Sequence, residues 1–373
     1  MSRKWNFINN VLSLGLTIGL IFLSATVNKN PYSGDMAGYI ALYVVGAIIF
    51  GILNTLFHEL GHVISGKIRG FKFYSMTVWF FHFKKENGKI NFGFNWIGNE
   101  AGYTEMIPTR KETVGKDFMK MTLGGIIASL ILTIISILPI IFNAYLPIKV
   151  FALLAMGLPV SVYFFLGSVL PMISDGVKND GLTALSYHRR DESSRVGESV
   201  LKAQADLYAG VLPKDLNEEL LFTVPQIMED DLNFVALLDL RYAYYLDKGD
   251  YENAVKVNER LLAIDRLPKQ YYLSVLAESL YIYSAINKNE EKAEETLYDL
   301  DKYINSVNTA QNIRIKLAYL IEILGETSGL EMFFDKAERE CKKMPLKGVA
   351  DYERNLIAPL KAKAVFETET EEQ

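Results

Sequence analysis

The sequence predicts a mainly α protein in two parts: a polytopic helical membrane domain with an inserted β-hairpin, followed by a soluble α-solenoid. Three observations predict it. Four long apolar runs lie ahead of Pro171, the rest of the chain alternates charged and apolar residues at helical spacing, and an aromatic stretch between the second and third runs alternates as strands do. Half of the 373 residues are hydrophobic, more than a soluble chain of this length needs. The excess is concentrated in the first part.

The runs at 8–27, 36–64, 118–142 and 150–170 approach the roughly 20 apolar residues that cross a bilayer. Arg3 and Lys4 ahead of the first run also fit a signal peptide, but "LSATVNKN" is a poor cleavage site, so the run reads as a retained span. Loop charges set the direction. Lys67, Arg69 and Lys72 follow the second run, with Lys84, Lys85, Lys89, Arg110, Lys111 and Lys116 beyond, whereas residues 28–35 and 143–149 carry one lysine each. Positive residues stay on the cytoplasmic side. Both termini are therefore expected in the cytoplasm, on a multi-pass protein of the cell membrane.

Residues 71–96 read as the hairpin, with Asn87-Gly88 suited to a type I′ turn. Phe80, Phe81, Phe83, Phe92, Phe94 and Trp96 make it too apolar for water, which places it against the membrane domain or in the interface.

Residues 1–182 thus form the membrane domain and 183–365 the helical one, with an acidic, solvated tail at 366–373. Within the second part, "YYLDKGDYENAVKVNERLLAID" puts Gly249, Tyr251 and Ala254 at the turn between two amphipathic helices and is similar to a tetratricopeptide repeat. "AINKNEEKAEETLYDL" repeats the layout around Ala293, and "ILGETSGLEMFFDKAERE" does so more loosely. Such a solenoid implies a concave surface for a cytosolic protein or peptide partner, or a packing cap on the first domain. Tyr242, Tyr244 and Tyr245 read as core and groove wall. The single cysteine, Cys341, excludes an intrachain disulfide framework. A net charge of -5, with no basic stripe, gives no reason to expect nucleic acid.

The chemistry lies at the end of the second run, in "FHELGHVISGK". Histidines four apart share one helix face, so His58 and His62 can both present an imidazole to one metal ion. Glu59 stands where the general base of a zinc hydrolase stands, beside a water whose pKa the metal lowers to about 7. The competing reading is a set of polar residues capping a helix at the membrane surface, but ionisable groups at membrane depth are costly and mark function. His82 and His188 lack ligand spacing and read as structural or solvated. A catalytic zinc needs a third protein ligand. Beyond the fourth run, Asp175-Gly176 and Asp180-Gly181 both offer a carboxylate before a glycine that lets the backbone turn sharply.

These motifs together resemble the site-2 protease family of intramembrane zinc metalloproteases. "HELGH" ends a transmembrane run; an apolar hairpin leads to "AGYTEMIP", similar to the family's Gly-Gly-Tyr-Val-x-Met; "GGIIASL" opens the third span where the family often has Gly-Pro and a small polar residue; and an Asp-Gly follows the last core span. The resemblance covers about residues 36–182 and departs from the family at Ile126, where a proline is missing. It implies one Zn2+ per chain, held by His58, His62 and an aspartate, with Glu59 as catalytic base. Pro171, Asn179-Asp180-Gly181 and the helix after them resemble the arrangement of bacterial relatives with a cytosolic helical extension, which favours Asp180. "ISDG" resembles the family's Leu-Asp-Gly form and keeps Asp175 as the alternative. The implied substrate is a membrane-anchored protein or peptide. A catalytically silent receptor and a peptide-exporter accessory protein are the competing functions.

Overall fold

The computed structural model describes residues 3–27, 36–86, 88–94, 102–174, 177–265 and 267–371. The chain divides into two compact units, Met1–Ser194 and Arg195–Gln373.

The first unit opens with α1 (Arg3–Val27) and α2 (Met36–Ile68), continues through β1 (Phe71–Val78), β2 (Phe81–Glu86), β3 (Lys89–Phe94) and β4 (Gly102–Pro108), and returns to helix in α3 (Val114–Ile135) and α4 (Leu138–Ile141). There follow α5 (Ile148–Ala155), α6 (Gly157–Val169), a small pair β5 (Ile173–Ser174) and β6 (Val177–Lys178), and α7 (Asp180–Arg189). Among the described residues, four segments are long and apolar enough to cross a membrane: Asn6–Leu23, Ala37–Ile68, Val114–Ile141 and Ile148–Val169. Their outward residues are large and apolar, with Phe22 68 % and Ile64 59 % exposed, as a lipid-facing surface requires.

The amide side chain of Asn6 at the start of α1 donates to the Ile173 carbonyl at 2.7 Å, and that of Asn9 donates to the Pro171 carbonyl at 3.2 Å. The start of the first span and the segment after the fourth therefore lie on one side of the unit.

The strands form a four-stranded antiparallel sheet in the order β3-β2-β1-β4. The predicted hairpin is its β2–β3 half, with Phe81 opposite Phe94 and Phe83 opposite Phe92. Gly88 holds φ +80 in the turn, while Asn87 and Trp96 lie outside the described residues. The sheet is thus wider than a hairpin. "GYTEMIP" is a strand because it returns antiparallel along β1, a pairing set by contacts 30 residues apart such as Ser75 with Glu105. Trp79, between β1 and β2, adopts φ +54; its indole N–H donates to Thr55 Oγ1 at 3.2 Å and so fastens the sheet to α2.

The second unit is all helical: α8 (Glu192–Ala209), whose first turn contains the boundary, then α9 (Glu218–Phe222), α10 (Leu232–Lys248), α11 (Tyr251–Leu262), α12 (Lys269–Tyr281), α13 (Glu290–Ser306), α14 (Ala310–Glu322), α15 (Glu331–Lys343) and α16 (Lys347–Glu371). Gly249 ends α10 in the left-handed conformation and Asp250 caps α11, a pairing that forces a tight helix-to-helix turn. Asn289 caps α13 in the same way. Ala254 and Ala293, each fourth in its helix, are fully buried where neighbouring helices approach. Cys341 is buried and free. Helix α16 continues through Glu371, into the stretch expected as a tail.

Candidate metal centre

α2 carries His58, Glu59 and His62 two turns before its end. The helix period turns both imidazoles toward α3. There the side-chain-free Gly125 makes room: a Cβ on it would lie 2.5 Å from His62 Nε2 and 2.9 Å from His58 Cε1. The two helices can come this close because they touch through bare backbone one residue earlier. A Cβ on Gly61 would lie 2.3 Å from the Gly124 carbonyl oxygen, and one on Gly124 would lie 2.5 Å from that of Gly61. Small residues let apolar helices approach in this way.

The outer nitrogen of each ring is engaged. His62 Nδ1–H donates to the Met121 carbonyl at 3.1 Å, and His58 Nδ1 shares a hydrogen bond of 2.9 Å with the fully buried Ser129 hydroxyl. A carbonyl only accepts, so neutral His62 must carry its proton on Nδ1 and leave Nε2 bare.

Asp180 completes the cluster. Its Oδ2 lies 2.7 Å from His58 Nε2 and 3.3 Å from His62 Nε2, and the two Nε2 atoms are 3.1 Å apart. The triangle suits a zinc ion, whose tetrahedral bonds of about 2.0–2.1 Å set donors about 3.3 Å apart. Three lone-pair donors converging so closely repel one another unless a cation lies between them. The chemistry of the donor set therefore fits a divalent metal. The three side chains keep 11–24 % of their surface exposed.

Asp180 is placed by the residue before it. The Asn179 side chain accepts from Leu182 N at 3.0 Å, capping α7, and from Met172 N at 3.0 Å. Its amide nitrogen donates among the carbonyls of Gly167, Ser168 and Leu170, at 2.6, 3.3 and 2.6 Å. One asparagine thus satisfies the end of α6 and the start of α7 together. Gly181 corrects an expectation: it makes no sharp turn but lies inside α7, where a Cβ would strike the Val169 carbonyl oxygen at 2.1 Å. The glycine is required by close packing. Asp175 and Gly176 lie outside the described residues.

Glu59 is 5 % exposed and points to β4, where the Thr104 hydroxyl donates to its Oε2 at 2.6 Å. His82 and His188 stand apart from this cluster: His82 bonds Thr77 across β1 and β2 at 2.9 Å, and His188 is exposed in the last turn of α7. The roles of Thr104 and Asn179 were not legible in the sequence. For Asn179 the available signal was its place directly before a helix-initiating Asp-Gly; for Thr104 there was none.

No protein-family model, curated protein or solved structure matches this chain. It is a membrane protein with a His58/His62/Asp180 cluster able to coordinate a metal ion.

Proposed function

We propose that this protein is an intramembrane zinc metalloprotease of the site-2 protease type, hydrolysing peptide bonds of a membrane-anchored protein or peptide. The observation that carries this reading is the convergence of His58, His62 and Asp180 beside a buried glutamate at the end of a membrane-length helix. His58, His62 and Asp180 hold the ion. Bound zinc supplies Lewis-acid polarisation and a water of lowered pKa.

Glu59 accepts the proton of the attacking water and returns it to the leaving amine. Glu59 is what separates a hydrolytic site from a silent receptor, since a structural site needs no base beside it. Among the described residues β4 pairs only with β1, and its other edge offers backbone groups to an extended substrate. The helical unit, read as tetratricopeptide-like, holds a cytosolic protein or peptide partner, and both termini are cytoplasmic.

Protein purified in detergent should contain close to one zinc per chain, with His58→Ala and His62→Ala largely depleted. Glu59→Gln should keep its zinc and cleave nothing. Metal content unchanged in both histidine variants would overturn the zinc site, and normal cleavage by Glu59→Gln would remove Glu59 as base.

A further inference from the structure

Strand β4 does more than cover the site: two of its residues meet the same carboxylate. Residues two apart on a strand share a face, and Gly102 and Thr104 both turn theirs toward α2. The Thr104 hydroxyl takes Glu59 Oε2 at 2.6 Å. A Cβ at Gly102 would lie 2.4 Å from Glu59 Oε1 and 2.7 Å from the Thr55 methyl, so the other oxygen fits only because this residue has no side chain. The intervening Tyr103 points away and is half exposed.

The strand is itself firmly registered. Gly102 pairs with Val78 and Thr104 with Met76 on β1, and both partners are buried. The sheet's other attachment, Trp79 on Thr55, lies one helical turn from Glu59 on the same helix. A glutamate has three rotatable bonds, and the hydrogen bond donated by the Thr104 hydroxyl on β4 fixes the last of them.

We propose that Thr104 is the positioning residue for Glu59: its hydroxyl fixes one carboxylate oxygen against β4 and sets the rotamer in which the other can serve a ligand on the metal. The proposal rests on the zinc reading given above. A valine at this position has the same shape without the hydroxyl, so Thr104→Val isolates the hydrogen bond, and Thr104→Ser restores it.

The test uses the full-length protein in detergent loaded with Co2+, and acetohydroxamate as the probe, because a hydroxamate binds a catalytic metal while sharing a hydrogen bond with the neighbouring carboxylate. Binding is read from the cobalt absorption bands. Thr104→Val should keep full metal content yet bind acetohydroxamate about tenfold more weakly, the scale of a lost hydrogen bond to a charged group, and Thr104→Ser should recover most of it.

In a Glu59→Gln background the valine substitution should have much less effect, since the coupling between the two side chains is what the double-mutant cycle measures. An equal loss in both backgrounds, or no loss in either, overturns the proposal while leaving the metal site standing. Failure of the unsubstituted protein to take up metal overturns the zinc reading, and this proposal with it.

Discussion

Gly61 and Gly124 meet backbone to backbone, so that a Cβ on either would lie within 2.5 Å of the other's carbonyl oxygen. The contact sets the spacing between α2, which carries the histidines, and α3, which orients them through Met121 and Ser129. Gly61→Ala should therefore separate the helices, with an overpacking cost of about 1–3 kcal/mol. Melting temperature and zinc content should fall together. Gly15→Ala, whose Cβ would meet nothing within 4 Å, is the control and should leave both unchanged. A Gly61→Ala protein with full zinc content would show that the spacing does not matter to the site.

Asn179 holds Asp180 by joining two helix ends. Asn179→Ala removes a helix cap, worth about 1 kcal/mol, and frees carbonyls at the end of α6. Zinc affinity should drop about tenfold or more, as it does when the support behind a ligand is removed. Asn179→Asp keeps the acceptor for Leu182 N and Met172 N but loses the donor to the α6 carbonyls. Its affinity should fall between the other two. Competition with a chromogenic chelator gives the ranking, and an alanine variant of unchanged affinity would assign Asn179 to stability alone.

Legibility in the sequence followed the range of the interaction. The spans were legible because a bilayer asks only for length and apolarity, and the histidine pair because four residues is one helical turn. Asp180 was reached through a resemblance and is the described carboxylate that meets both rings. The four-stranded sheet was seen only in its local half. β2 and β3 announce themselves across a two-residue turn, whereas β1 and β4 find each other across the intervening hairpin. Thr104 was hidden for the same reason: nothing in "GYTEM" reveals that a hydroxyl will meet a glutamate 45 residues earlier. The role expected of Gly181 was wrong because a glycine that turns the chain and one that lets two helices touch look identical in sequence.

In the second unit Arg314 is fully buried between two acids, donating to Glu278 Oε1 at 2.6 Å and to Glu353 Oε2 at 2.8 Å. Tyr242 and Gln311 complete Glu278, and the Tyr281 ring lies 4.2 Å from the guanidinium carbon. Removing only the cation strands two buried carboxylates. Arg314→Met should cost about 3–5 kcal/mol, whereas replacing Arg314, Glu278 and Glu353 together by apolar residues of similar volume should recover much of it. Denaturant unfolding followed by tyrosine fluorescence measures both. A mild loss in the single variant would mean that water reaches the cluster.

The last prediction separates the two aspartates. A carboxylate that closes a triangle with two imidazole nitrogens, at 2.7 and 3.3 Å, supplies the only negative charge of that triangle, and without it a divalent ion keeps two neutral ligands. Asp180→Ala should therefore lose most of its zinc and all cleavage. Asp180→Asn keeps the shape and an oxygen but not the charge, so it should bind zinc weakly and recover part of its content when excess metal is supplied. Asp175 precedes a glycine in sequence, a pair common in turns, and Asp175→Ala should keep both zinc and activity. Metal analysis of the three purified variants decides the matter. Loss of zinc from Asp175→Ala with normal zinc in Asp180→Ala would transfer the ligand role to Asp175, and full zinc in both would leave the histidine pair without its carboxylate and undo the protease reading.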